Sequence, residues 1–159
     1  IHTMDIPDMF EKTLRYPNHV DQMRVFKDTG LLNTTPIKVE GVSVRPIDVM
    51  TSLLSPLWKY ELGEADITVM KLVISGVEDG KQATYTYSMY DEYDPATGAL
   101  SMARTTGYTC NAVTRLVLDG TYSQKGISPP EFVGRVDGCR ESVERYLEDR
   151  GVHCKIQRS

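Results

Sequence analysis

The chain has 159 residues, of which 40% are hydrophobic and 25% charged, so it can bury a sizeable core as an ordinary globular protein. Its net charge of −4, with acids and bases interspersed, excludes the basic face of a general nucleic-acid binder. No apolar stretch approaches a membrane span, and no basic-then-apolar leader is visible, so neither membrane nor secretion is expected.

The three cysteines, Cys110, Cys139 and Cys154, form no C-x-x-C pair and fit reduced thiols in the cytoplasm better than a disulfide framework. His2, His19 and His153 lack zinc-type spacing, so no metal is expected. The sequence opens at Ile1 in the middle of what reads as structure, and is expected to be a piece of a longer protein.

Residues 9 to 16 read as an extended segment closed by Pro17, which disfavours helix at Tyr16. Asn18 is placed to cap a helix carrying Val20, Met23 and Phe26, and Gly30 ends it. Residues 33 to 44 read as loop with at most a short strand. Pro46 suits a first helical position, and Ile47, Met50, Leu53, Leu54 and Leu57 make an apolar stripe that ends near Trp58.

"ITVMKLVISGV" is β-branched and nearly continuous in apolarity, which predicts a strand buried on both faces. Asp79-Gly80 then makes a hairpin turn. The returning "QATYTYSMY" alternates. Ala83, Tyr85, Tyr87 and Met89 share an apolar face for helices, and Gln82, Thr84, Thr86 and Ser88 face water, a ligand or another subunit. "DPATG" is a turn, "ALSMA" a possible third strand, and Thr105 or Thr106 a cap for a helix with Val113, Leu116 and Val117, stopped by Gly120. Pro130 opens a short helical turn. Val136, Val143, Tyr146 and Leu147 mark a last amphipathic helix ended by Gly151, and "HCKIQ" can form a terminal strand. The fold class is therefore α/β (α+β): one domain over 1–159, with a mixed, partly antiparallel sheet and helices mainly on one face.

Four groups of residues are candidates for chemistry, each with an ordinary structural reading beside it. Arg15 ends the extended stretch, where its guanidinium can clamp a carboxylate through two parallel hydrogen bonds, or simply pair with Glu11 or Asp21. His19, on the first helical turn, faces the same pocket or the surface. "MARTTGY" sets Arg104, Thr105 and Thr106 at an expected helix start, which is either an anion site or only a cap. The acids Asp91, Glu92 and Asp94 lack calcium-loop spacing and read as a solvated turn. The tyrosine row Tyr85, Tyr87, Tyr90 and Tyr93 reads as sheet packing. No strand–helix G-x-G-x-x-G and no nucleophile triad can be assembled.

"KTLRYPNHVDQMRVFKDTGLL", "SMARTTGYTCNAV" and "GISPPE", taken in order, resemble the C-terminal half of the saccharopine dehydrogenase family, in particular its lysine 6-dehydrogenase-like members. The resemblance runs from about residue 9 to 150, with Asn18 where the family commonly has glycine. It implies a parent NAD(P)-dependent enzyme that oxidises a C–N bond of lysine or a derivative such as saccharopine. NAD or NADP would lie on an N-terminal Rossmann domain, with none bound by this part. The resemblance further implies that this part supplies amino-acid substrate contacts and homodimerisation and is inactive by itself. It puts Thr13, Leu14, Arg15, Tyr16 and His19 at the substrate. Residues 105–120 would pack on the nucleotide domain, with Arg104, Thr105 and Thr106 near the cleft. The competing readings are a non-catalytic binding or oligomerisation module of the same fold, and an unrelated small enzyme using the polar cleft alone.

Overall fold

The computed structural model describes residues 4–159. The chain divides into two compact units, one running to Glu61 and the other spanning Leu62–Ser159.

In the first unit, residues 9 to 16 form no ladder and are exposed throughout, so the expected extended stretch does not become a strand. Helix α1 (His19–Asp28) begins at Asn18, which sits in the left-handed region at φ 69° and makes no side-chain cap bond. Asparagine tolerates that conformation better than most residues. Thr29 closes the helix by donating its hydroxyl to the Val25 carbonyl at 2.7 Å. Strands β1 (Ile37–Val39) and β2 (Val42–Val44) form an antiparallel hairpin where loop with at most one short strand was expected. Its Glu40-Gly41 turn has both residues at positive φ, the geometry that matches strand twist, but Glu is an unusual choice there. Helix α2 (Pro46–Trp58) opens on Pro46 as expected. Of its stripe only Met50 is buried, while Leu53 and Leu57 stand 66% and 77% exposed.

In the second unit, β3 (Ile67–Glu78) turns through Asp79-Gly80 into β4 (Lys81–Glu92). Both turn residues have positive φ, as a two-residue turn of this kind requires. Strand β5 (Cys154–Arg158) returns from the C-terminus to the far side of β4, giving the order β3-β4-β5 with every ladder antiparallel. Helix α3 (Ser101–Leu118) packs on β3 and β4, and α4 (Pro130–Gly134) and α5 (Cys139–Glu148) complete the layer. The core lies among these helices: Leu116, Tyr122, Val133 and Cys139, flanked by Val113 and Val143. The α+β class and the helix-bearing face of the sheet are as the alternation in β4 implied.

Two expectations fail here. "ALSMA" is not a strand, because Ser101 is already the first residue of α3, and only an isolated bridge, Asp94 to Ala99, precedes it. The cap is therefore not Thr105 or Thr106, which lie inside the helix. Second, β3 is not buried on both faces. Among the described residues it is an edge strand with β4 on one side only, and all but one of its residues are exposed.

Candidate functional site

The first unit carries the Arg15 cluster. Thr13, Leu14, Arg15 and Tyr16 are all exposed, Leu14 at 76% and Tyr16 at 80%, and His19 is half-buried at the start of α1. Among the described residues Arg15 makes no ion pair; its Nη1 donates a long 3.5 Å bond to the neighbouring Leu14 carbonyl. The surface pairing with Asp21 is not made, because Asp21 is taken by Arg24 at 3.3 Å. A guanidinium with no carboxylate of its own keeps its fork of donors available for one from a ligand.

The second unit carries the Arg104 cluster, and there the guanidinium is already engaged. Its Nη1 lies 3.0 Å from Asp94 Oδ2 and its Nη2 lies 3.3 Å from Asp91 Oδ1. Nη2 also donates to the Arg150 carbonyl at 3.0 Å. Only 10% of the Arg104 side chain and 3% of that of Asp91 reach solvent. Asp91 is thus buried and paired, contrary to the solvated turn expected for it. Asp94 alone keeps the turn role. It accepts from the Thr97 hydroxyl at 2.7 Å and the Ala96 amide at 3.0 Å. Those two bonds, with Arg104 beside them, hold its carboxyl below the ordinary aspartate range. A recess of about 330 Å3 opens beside this pair, lined by Tyr90, Tyr93, Asp94 and Gly151 among others. Gly151, at φ 77°, would place a Cβ 3.5 Å from Arg104 Nη2, so its conformation rather than its size requires glycine.

The helix start offers no open anion site. The Asp66 carboxylate accepts from the Ser101 amide at 2.6 Å and the Met102 amide at 2.9 Å, and Ser101 and Thr68 hydroxyls meet at 2.8 Å. A carboxylate from this chain therefore occupies the position an external anion would take. Thr105 turns its hydroxyl back to the Ser101 carbonyl at 3.0 Å, and Thr106 is exposed. Arg150 lies 3.4 Å from the centre of the Tyr146 ring and 6.0 Å from that of Tyr108, which bridges α3 and α5 by cation–π contact. Sequence reasoning missed Asp66 and Arg150, because their partners are 35 and 46 residues away and no local motif announces either.

Residues 1–152 match the family model for the saccharopine dehydrogenase C-terminal domain. The chain belongs to that family. It is 34% identical over 103 residues to a Saccharomyces cerevisiae protein named saccharopine dehydrogenase (NADP+, L-glutamate-forming), covering 64% of this chain and 22% of the relative. A Pyricularia oryzae protein of the same name is 30% identical over 159 residues, covering 95% of this chain and 34% of the relative. The chain of this saccharopine dehydrogenase C-terminal domain thus spans about a third or less of the curated relatives it matches. No described helix of the domain is long and apolar enough to cross a membrane.

Proposed function

We propose that this chain is the substrate-binding and dimerising part of a cytoplasmic, NAD(P)-dependent amino-acid dehydrogenase that oxidises a C–N bond of lysine or a lysine derivative such as saccharopine. The observation that carries this reading is the family match across residues 1–152. Arg15 supports it as the clamp for the substrate carboxylate, since it is exposed and has no acidic partner among the described residues. Thr13, Leu14, Tyr16 and His19 are its neighbours on the substrate side. In the second unit, taken by itself, Thr106 has an exposed hydroxyl, while Arg104 and Thr105 are bonded within that unit.

The start of α3 does not fit a nicotinamide dinucleotide. The phosphates of such a cofactor need open amides at a glycine-rich helix start. The α3 amides are filled by Asp66. As the family resemblance implies, the dinucleotide is assigned to an N-terminal Rossmann domain of the parent. Met102, Val117 and Leu118, 65%, 55% and 81% exposed on α3, support packing of that helix against it.

The test is to express the full-length parent and follow NAD(P)H formation with lysine and with saccharopine. Turnover of either is expected. No turnover of either, with no glycine-rich strand–helix motif upstream of this domain, would favour a non-catalytic binding module of the same fold.

A further inference from the structure

Three hydroxyl residues of this chain are followed directly by proline, in Thr35-Pro36, Ser55-Pro56 and Ser128-Pro129. Proline-directed kinases require that dipeptide, and a basic residue three positions after the acceptor strengthens it. Thr35 has one in Lys38, whereas Trp58 and Glu131 stand at that position for Ser55 and Ser128.

The fold separates the three further. Ser55 and Pro56 lie inside α2, which would have to unwind to enter a kinase groove. The Ser128 hydroxyl oxygen is buried, out of reach of a phosphate donor. Thr35 belongs to the run 31–40, every residue of which is exposed. The chain is neither helix nor strand from Asn33 to Pro36 and bends at Thr35. It then runs extended through Lys38 in β1, which pairs with β2 alone among the described residues. We propose that Thr35 is a phosphorylation site for a proline-directed kinase, and that Arg45 at the start of α2 receives its phosphate.

In the transfer the Thr35 hydroxyl oxygen bonds to the γ-phosphorus of a nucleoside triphosphate. The bridging P–O bond to the β-phosphate breaks, and the nucleoside diphosphate leaves. The hydroxyl proton passes to the kinase's catalytic aspartate.

Arg45 is the receiver because the fold ties its segment to both sides of Thr35. Before Thr35, the Asn33 carbonyl accepts from the Ile47 amide at 3.2 Å. After it, Ile37 pairs with Val44. A phosphate there brings about −1.5 to −2 charges to the positive end of α2. In the unmodified chain the Arg45 fork grips Asp48 at 2.7 and 2.8 Å. Those side chains are 54% and 53% exposed, so water screens the pair and a dianion with three acceptor oxygens displaces the carboxylate. Phosphorylation thus ties the 33–36 segment to α2 by a contact the unmodified chain lacks.

This inference does not rest on the dehydrogenase reading, and its test needs no activity. A purified proline-directed kinase with ATP should phosphorylate both the full-length parent and a peptide of residues 29–42, at Thr35 by tandem mass spectrometry. Thr35→Ala and Pro36→Ala should each abolish this. In the phosphorylated parent, hydrogen exchange at the Ile47 amide should slow roughly tenfold or more relative to the unmodified protein, the scale of one charge-assisted bond. Arg45→Ala should accept phosphate equally well and show no such slowing. Phosphorylation of the peptide but not of the folded parent, of neither, or at Ser55 or Ser128 instead overturns the site. Phosphate on Thr35 that leaves Ile47 exchange unchanged, or slowing that survives Arg45→Ala, overturns the role of Arg45.

Discussion

The Asp66 carboxylate holds the start of α3 from 35 residues away, taking the Ser101 amide at 2.6 Å while its other oxygen takes the Met102 amide. The helix has no capping side chain of its own, because Leu100 occupies the cap position. Asp66 is itself only 8% exposed, so its charge is balanced by amide hydrogens and the positive end of the helix. Removing it leaves one buried and one part-buried amide donor unmet. Asp66→Ala should cost about 2 kcal/mol, the scale of a strong cap made by a charged acceptor, and Asp66→Asn about half as much. Urea unfolding followed by circular dichroism measures this, and an unchanged midpoint for Asp66→Ala would show that water replaces the carboxylate without loss.

The Arg104–Asp91 pair should behave differently when one partner is removed and when both are. With its side chain 3% exposed, Asp91 depends on Arg104 for compensation, whereas Arg104 also has Asp94 at 3.0 Å. Arg104→Met leaves Asp91 buried and unpaired and should destabilise by about 3 to 5 kcal/mol. Combining it with Asp91→Leu should recover most of that loss, because the desolvated charge disappears with its partner. Asp91 Oδ2 and Arg104 Nε already lack partners among the described residues. The pair is therefore not ideally satisfied as it stands, which favours recovery in the double variant. Additive losses in a double-mutant cycle would refute the coupling.

Acid should act in part through Asp94, whose pKa is lowered as those of Asp119 and Glu141 are. The Thr97 hydroxyl is the largest cause of its lowered pKa, followed by the Ala96 amide, with Arg104 adding charge attraction. The folded state thus binds its proton less readily than the unfolded chain, where aspartate titrates near about 3.9. Stability from this group is fully present above that value and is lost as pH falls through the lower folded pKa. Asp94→Asn should flatten the acid limb of the stability-versus-pH curve and leave its neutral slope unchanged. Equal acid sensitivity in both proteins would place the titrating group elsewhere.

The parts legible in the sequence are those with short-range causes. Asp79-Gly80, Pro46, Gly30 and the alternation of β4 each act within a few residues, and each produces the element it implied. What the sequence hid depends on distance. The start of α3 is fixed by Asp66, and Asp91 is buried because Arg104 reaches it from the helix layer. The strand β3 misled for a third reason. Its apolarity reads as burial on two faces, yet among the described residues it borders only β4. The "TLRY" stretch was visible as a cluster of donors, but nothing local distinguishes an exposed arginine with a task from a solvated one.

That distinction can be made at Arg15. It is exposed and forms no ion pair among the described residues, so its removal should leave folding stability within about 0.5 kcal/mol of the parent. If it clamps the substrate carboxylate in the full-length enzyme, Arg15→Ala should lower kcat/KM by about 2 kcal/mol or more, roughly thirtyfold, the scale for breaking a desolvated charged contact. Arg15→Lys should recover only part of this, since an ammonium keeps the charge but not the two-pronged geometry. Unfolding curves and steady-state kinetics on the same preparations separate the effects. Unaltered kcat/KM in Arg15→Ala would return this residue to the surface, and a matching loss of stability would make its role structural.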